Sequence, residues 1–158
     1  MTRLRPQPPG TPAPVPSRFS APYWEGCARD ELRFLRCSNC QLAIADAARI
    51  CWRCHSRALR WEPSRGRGRL YSWTIVWRPQ TPVFEVPYSV AIVELDEDIF
   101  VVSSVIGCEP DDLAEGMELA VEFHPVNDEM KLPYFRPIGD GGRQISSSGL
   151  PASPAGTP

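Results

Sequence analysis

The sequence predicts a mainly β protein: a short N-terminal helix, then a zinc ribbon, then a small β-barrel of OB type. Two observations carry that expectation. Cys37, Cys40, Cys51 and Cys54 form two C-x2-C pairs with ten residues between them, a spacing that wraps four thiolates around one tetrahedral ion. From Arg69 onward, four or five short runs rich in β-branched and aromatic residues follow one another, separated by turn residues and without a helical period.

The elements follow in chain order. Residues 1–18 are proline-rich and aperiodic, which predicts a disordered or extended tail. Residues 139–158 predict a flexible tail for the same reason. Helix plus ribbon then occupy 19–64 and the barrel 65–138. Ser20 is placed to cap a short helix with Pro22 in its first turn. Tyr23 and Trp24 in that helix either cover the module's own core or dock on a partner. Residues 30–36, with Leu32 and Phe34 alternating against Arg33 and Leu35, predict the strand that runs into the first knuckle, and 59–62 the strand that leaves the second. Barrel strands are expected at 69–77, 88–95, 99–106, 118–124 and 134–137, with a helical turn near 111–113.

Two disulfides, or four unrelated buried thiols, are the alternatives to a metal site. No apolar centre of a secretory signal appears in the first residues, so a reducing, cytoplasmic setting is expected, and with it zinc. Four thiolates fill a tetrahedron and leave no position for water or substrate, so the ion is structural. His55, beside Cys54, is then solvated or supports a ligand from outside. Cys27 and Cys108 are expected as small buried hydrophobes.

Net charge is −2, but it is unevenly spread. Residues 29–69 hold ten arginines against four acids, whereas 70–140 hold three basic residues against fourteen acids. A basic first module thus leads into an acidic second one. Lys131 is the sole lysine; the arginine bias suits phosphate or carboxylate contacts, or reflects a GC-rich genome. Arg65, Arg67 and Arg69, interleaved with two glycines, are the candidate contacts for an anionic ligand such as the phosphates of coenzyme A, with an ordinary charged linker as the alternative. Tyr71, Trp73, Ile75 and Trp77, two apart, are expected on one strand face, either as core or as a platform for a ring or a partner. No apolar run approaches the ~20 residues of a membrane span. No phosphate-cradling loop leads into a helix. Neither His124 nor the clusters Asp96-Glu97-Asp98 and Asp111-Asp112 has an evident nucleophile beside it, and these acids suit solvated turns. No catalytic residue is assigned.

Pro22-Tyr-Trp-Glu-Gly26, the two cysteine pairs, Arg67-Gly-Arg-Leu-Tyr-Ser-Trp-Thr74, Pro87-Tyr-Ser-Val-Ala-Ile-Val-Glu-Leu-Asp96, Gly107-Cys108 and Gly116-Met117 together resemble the zinc-ribbon/OB-fold family of acyl-CoA-associated proteins, long catalogued as a domain of unknown function. The similarity runs from Phe19 to about Pro137. It implies a helical segment, a rubredoxin-like ribbon and an OB barrel. It also implies a non-catalytic accessory subunit in a hetero-oligomer with a thiolase-like acyltransferase, an aldolase or a hydratase, and a coenzyme A thioester somewhere in the complex. Only the four cysteines carry over residue by residue, as zinc ligands. The alternative function is single-stranded nucleic-acid binding, which ribbons and OB barrels also serve; the acids of the second module argue against it.

Overall fold

The computed structural model describes residues 2–45 and 47–139. Its elements are α1 (Ala21–Ala28), β1 (Arg33–Cys37), β2 (Ala43–Ile44), β3 (Leu59–Pro63), β4 (Arg67–Val76), β5 (Tyr88–Leu95), β6 (Ile99–Ser103), a 3-10 turn (Pro110–Asp112), β7 (Glu118–Pro125) and β8 (Lys131–Pro137). They form two antiparallel sheets: a small one in the order β2-β1-β3, and a curled five-stranded one in the order β6-β5-β4-β7-β8. Strand content, the single short helix and the curl are those of the expected mainly β fold with an OB-type barrel. The expected flexible tail at 139–158 lies, beyond Gly139, outside the described residues.

Helix α1 forms where expected, but its cap is different. Ser20 already has helical backbone angles and its side chain caps no helix N–H. Ser17 does the turning, its Oγ accepting the Ser20 N–H at 3.1 Å and the Phe19 N–H at 3.3 Å. The helix stops at Asp30, which takes a left-handed φ of 61°. There the Asp30 N–H bonds Cys27 O and the Glu31 N–H bonds Gly26 O, the paired closure of a Schellman end. Both Asp30 carboxylate oxygens accept Lys131 Nζ at 2.8 Å, fastening the helix end to β8.

Strand β1 is buried on both faces, which is why it is continuously apolar through Phe34-Leu35. Leu32 and Phe34 enter the core of the barrel with Leu70, Val93, Leu119 and Phe135. Leu35 and Cys37 enter the ribbon core with Ile44 and Cys51. Each fully buried side chain of this kind contributes about 1.5–3 kcal/mol, so β1 adds to the stability of both modules. β2 is two residues long, too short to leave a periodic signal.

The barrel strands sit within two or three residues of expectation, with two differences. β4 carries a bulge at Tyr71: Leu70 pairs with Val93 and Ser72 with Ile92, leaving Tyr71 unmatched. One extra residue reverses the facing of everything after it. Trp73 and Ile75 therefore share a face with their partners Ala91 and Ser89, Ile75 packing against the core and Trp73 remaining 36% exposed, while Tyr71 lies on the other face and meets Phe100 edge-on, with ring centroids 5.0 Å apart. The expected single aromatic face does not exist. The third strand, expected to reach Ile106, leaves β5 at Ser103; Val105 then bridges to Phe135 in parallel, and the N–H groups of Phe135 and Ile106 close that junction onto Ser104 O and Phe135 O.

The proline-rich segment is not free. Residues 2–11 run as an extended strap along the barrel. The Leu4 N–H donates to Cys108 O at 2.8 Å, Gly107 N–H donates back to Leu4 O at 2.9 Å, and Gly10 N–H reaches Val126 O at 3.2 Å. The Leu4 side chain is 1% exposed, inside the barrel core. Gln7 holds residue 85 at both ends, its amide donating to Glu85 O and accepting the Glu85 N–H. Proline prevents sheet and helix but not docking.

Candidate metal centre

The four predicted cysteines converge. Their sulfurs all lie within 4.8 Å of one another, with Cys37 to Cys54 at 3.6 Å and Cys40 to Cys51 at 3.5 Å. A disulfide requires about 2.05 Å, so these thiols are not bonded in pairs. Four sulfurs at ~2.3 Å from a tetrahedral ion stand roughly 3.8 Å apart, close to the observed separations. The geometry therefore fits a single metal held by four thiolates. Cys37 and Cys51 are fully buried and Cys40 and Cys54 half-buried, so protein encloses one side of the cluster.

Local backbone explains the convergence. Each knuckle repeats the same turn. Gln41, after the first pair, has φ 60° and His55, after the second, φ 59°. The Gln41 N–H bonds Cys37 O, and the His55 N–H bonds Cys51 O, both at 2.9 Å. The leading cysteines reciprocate across the turn, Cys37 N–H to Leu42 O and Cys51 N–H to Ser56 O. His55 is exposed and serves as the left-handed corner of its knuckle. Gln41 and His55 were the residues sequence reasoning underused; their shared place just after the second cysteine of each pair is the signal that would have found them. β1 delivers Cys37, and β1 and β3, paired from Arg33–Pro63 through Cys37–Leu59, hold the two knuckles opposite each other.

The other two thiols are not activated. Cys27, in the last turn of α1, is fully buried, and burial pushes it up to about 11. Burial, aided by Asp112, also raises Cys108. A nucleophilic thiol needs the opposite shift. His124 lies against Glu122, Nε2 to Oε1 at 2.7 Å, and edge-on to Tyr134. Glu122 is further held by Arg136, which keeps its carboxyl below the usual range, with His124 adding to the effect.

Arg65, Arg67 and Arg69 lie at the entry to β4 and along its first residues. The Arg65 N–H is tied to Glu97 Oε1 at 2.9 Å. Arg67 and Arg69 alternate on the outer face of β4, and Arg69 stands in register with Glu94 on one side and Glu118 on the other. The intervening glycines serve packing: a Cβ on Gly66 would lie 2.4 Å from Val121 Cγ1, and one on Gly68 would lie 2.3 Å from Glu94 O. They let the neighbouring strands close up.

Comparison with known proteins agrees with this architecture. Residues 61–124 match the family model described as the C-terminal OB-fold domain of ChsH2. The chain is 32% identical over 126 residues to a probable enoyl-CoA hydratase alpha subunit of Thermomonospora curvata, covering 80% of this chain and 40% of that one; it thus spans about two fifths of that relative's length. It is also 32% identical, over 61% of its own length, to a DUF35 domain-containing scaffold protein of Pyrococcus furiosus, of which it covers 72%. The solved structure titled Ltp2-ChsH2(DUF35) aldolase contains a chain that superposes with a TM-score of 0.74 at 31% identity, over 79% of this chain and 98% of that one. With this ribbon, this barrel and these relatives, the chain belongs to the DUF35 family, an OB-fold family of acyl-CoA-associated accessory proteins.

Proposed function

We propose that the chain is a non-catalytic, zinc-binding accessory subunit of a complex that processes acyl-CoA thioesters, with a thiolase-type acyltransferase as its partner. The observation that carries this reading is the closed four-sulfur centre, taken together with the two unactivated thiols elsewhere in the chain. Making or cleaving a C–C bond of a thioester needs a nucleophile and a proton-handling group in one pocket, and a partner subunit supplies them. Zinc suits the site because thiolate sulfur in tetrahedral array favours it; Cys37, Cys40, Cys51 and Cys54 hold it and it stiffens the scaffold. The relatives, a probable enoyl-CoA hydratase alpha subunit and a chain of the Ltp2-ChsH2 aldolase, support an acyl-CoA enzyme as the partner class and leave hydratases and aldolases beside the thiolase as members of it. The setting we propose is cytoplasmic, where thiols are kept reduced and free to bind a metal. No described helix is long and apolar enough to cross a membrane. Nucleic-acid binding is disfavoured where Glu94 and Glu118 flank Arg69 on the barrel surface.

Mixing the purified chain with thiolase, hydratase and aldolase partners in turn, then measuring complex mass and thioester turnover, tests the proposal. A stable complex with the thiolase, and turnover by it that rises on adding the chain, is the expected result. Turnover by the chain alone, or a chain that binds none of the three and alters no rate, overturns it.

A further inference from the structure

A groove of about 500 Å³ runs between the start of α1 and the ribbon. Its floor is apolar, made by Leu35, Leu59 and Trp61, and its rim carries Arg18, Arg49 and Arg57. The arginines come from three separate segments: the turn before α1, the loop between the knuckles, and the chain after the second knuckle. No acidic side chain is among the described residues that line it, and none of the three arginines is ion-paired among the described residues. Two of them share one ring: Arg18 Cζ lies 4.5 Å and Arg49 Cζ 5.1 Å from the Phe19 centroid. The ring's π face holds two like charges near each other, which leaves their outer N–H groups available as forks for an anion.

We propose that this groove is a binding site for a ligand carrying clustered phosphates, with its ring or apolar portion on the Leu35–Trp61 floor. The volume falls in the range of ~300–1,000 Å³ that holds one small molecule, which favours a compact ligand over an extended acidic polypeptide. The site is an alternative to the Arg65–Arg69 stretch as the phosphate contact: there Glu94 and Glu118 stand in register with Arg69, whereas here cations converge over an apolar floor with no acid among the described lining residues. It sits against the metal centre, since Leu35 and Leu59 belong to the ribbon core around the cysteines, so the metal would preform it. Only the choice of probe rests on the acyl-CoA reading.

The test is calorimetric titration of the full, metal-loaded chain with adenosine 3′,5′-bisphosphate, the phosphate-bearing end of coenzyme A, alongside pyrophosphate, adenosine and a glutamate-rich peptide. The bisphosphate should bind, weaken with added salt, and outcompete both adenosine and the peptide by at least tenfold. The exposed double variant Arg49→Gln/Arg57→Gln should lose at least tenfold in affinity while keeping its metal content, and Arg67→Gln/Arg69→Gln should bind as the parent does. No binding of the bisphosphate, tighter binding of the peptide, or unchanged affinity in Arg49→Gln/Arg57→Gln overturns the proposal. Complex formation with a partner enzyme is read separately, so a chain that assembles but binds no phosphate sinks the groove alone.

Discussion

At the scale of single residues, the most constrained polar side chain is Ser89 on β5. It is 1% exposed. Its Oγ accepts the Val105 N–H at 2.7 Å and stands 3.0 Å from Val105 O and 3.1 Å from Ser104 Oγ. One hydroxyl therefore satisfies the backbone at the point where the chain leaves β5 and crosses to β8. Ser89→Ala leaves that N–H buried and unpaired, which costs about 1–3 kcal/mol. Urea unfolding of the variant should show a lower midpoint with an unchanged slope; an unchanged midpoint would mean water replaces the hydroxyl. The contrast with the cysteines explains what the sequence discloses. Cys37, Cys40, Cys51 and Cys54 are legible because each pair is closed by a local turn and the chemistry of sulfur names its purpose. Ser89 is a polar residue inside an alternating strand, and its partner lies sixteen positions away on a segment whose path no local pattern reports.

Elements show the same division between local and long-range determination. Tyr88–Leu95 is legible to the residue because a run rich in β-branched residues is bounded by Pro87 on one side and by the turn residues Asp96-Glu97-Asp98 on the other. The bulge at Tyr71 is not, because both registers present aromatic and β-branched residues to each face and only the cross-strand partners decide between them. The strap misleads more thoroughly: proline erases periodicity, so nothing marks Leu4 as an anchor. Leu4→Ala should destabilise by about 2–5 kcal/mol, read as a lower unfolding midpoint and faster amide exchange at Gly107; a loss under about 0.5 kcal/mol would show that the strap merely lies on the surface. The β7–β8 pair carries a pH signature. Arg136 foremost, then His124, depress the Glu122 carboxyl, so its folded pKa lies below its unfolded one. That contribution is present above the ordinary glutamate value and is lost as pH falls through the lowered one. Because Glu122 is partly solvated, the effect is small, at most about 1 kcal/mol. Glu122→Gln should therefore be slightly less stable than the parent at pH 7 and equal to it in strong acid; a gap that persists unchanged into strong acid would place the loss in packing.

Across the whole molecule, β1 decides whether ribbon and barrel stand or fall together. Its alternate residues feed two cores, Leu32 and Phe34 into the barrel and Leu35 and Cys37 into the ribbon, and Lys131 ties the end of α1 to β8. The cysteine spacing foretold the four-sulfur cluster and the strand run foretold the curled OB-type sheet, and the boundary expected near residue 65 falls between β3 of the small sheet and β4 of the large one. On the zinc reading proposed above, a structural tetrathiolate metal would supply about 10–16 kcal/mol, as much as the entire ~5–15 kcal/mol net stability of an ordinary domain. Stripping the metal with a strong chelator, or replacing a ligand by Cys37→Ser or Cys51→Ser, should therefore unfold the ribbon outright. Through β1 it should also take Phe34 out of the barrel, a loss on the scale of a large core truncation, about 3–5 kcal/mol. The expected result is a single thermal transition, lowered as a whole, with amide protection falling in β4 and β5 as well as around the knuckles. If the barrel strands of the metal-free chain keep their protection while the knuckle amides exchange freely, β1 is a hinge between independent modules. Lowering the pH should reproduce the stripping, because each thiolate must be deprotonated to bind, and metal release should then precede the acid loss at Glu122.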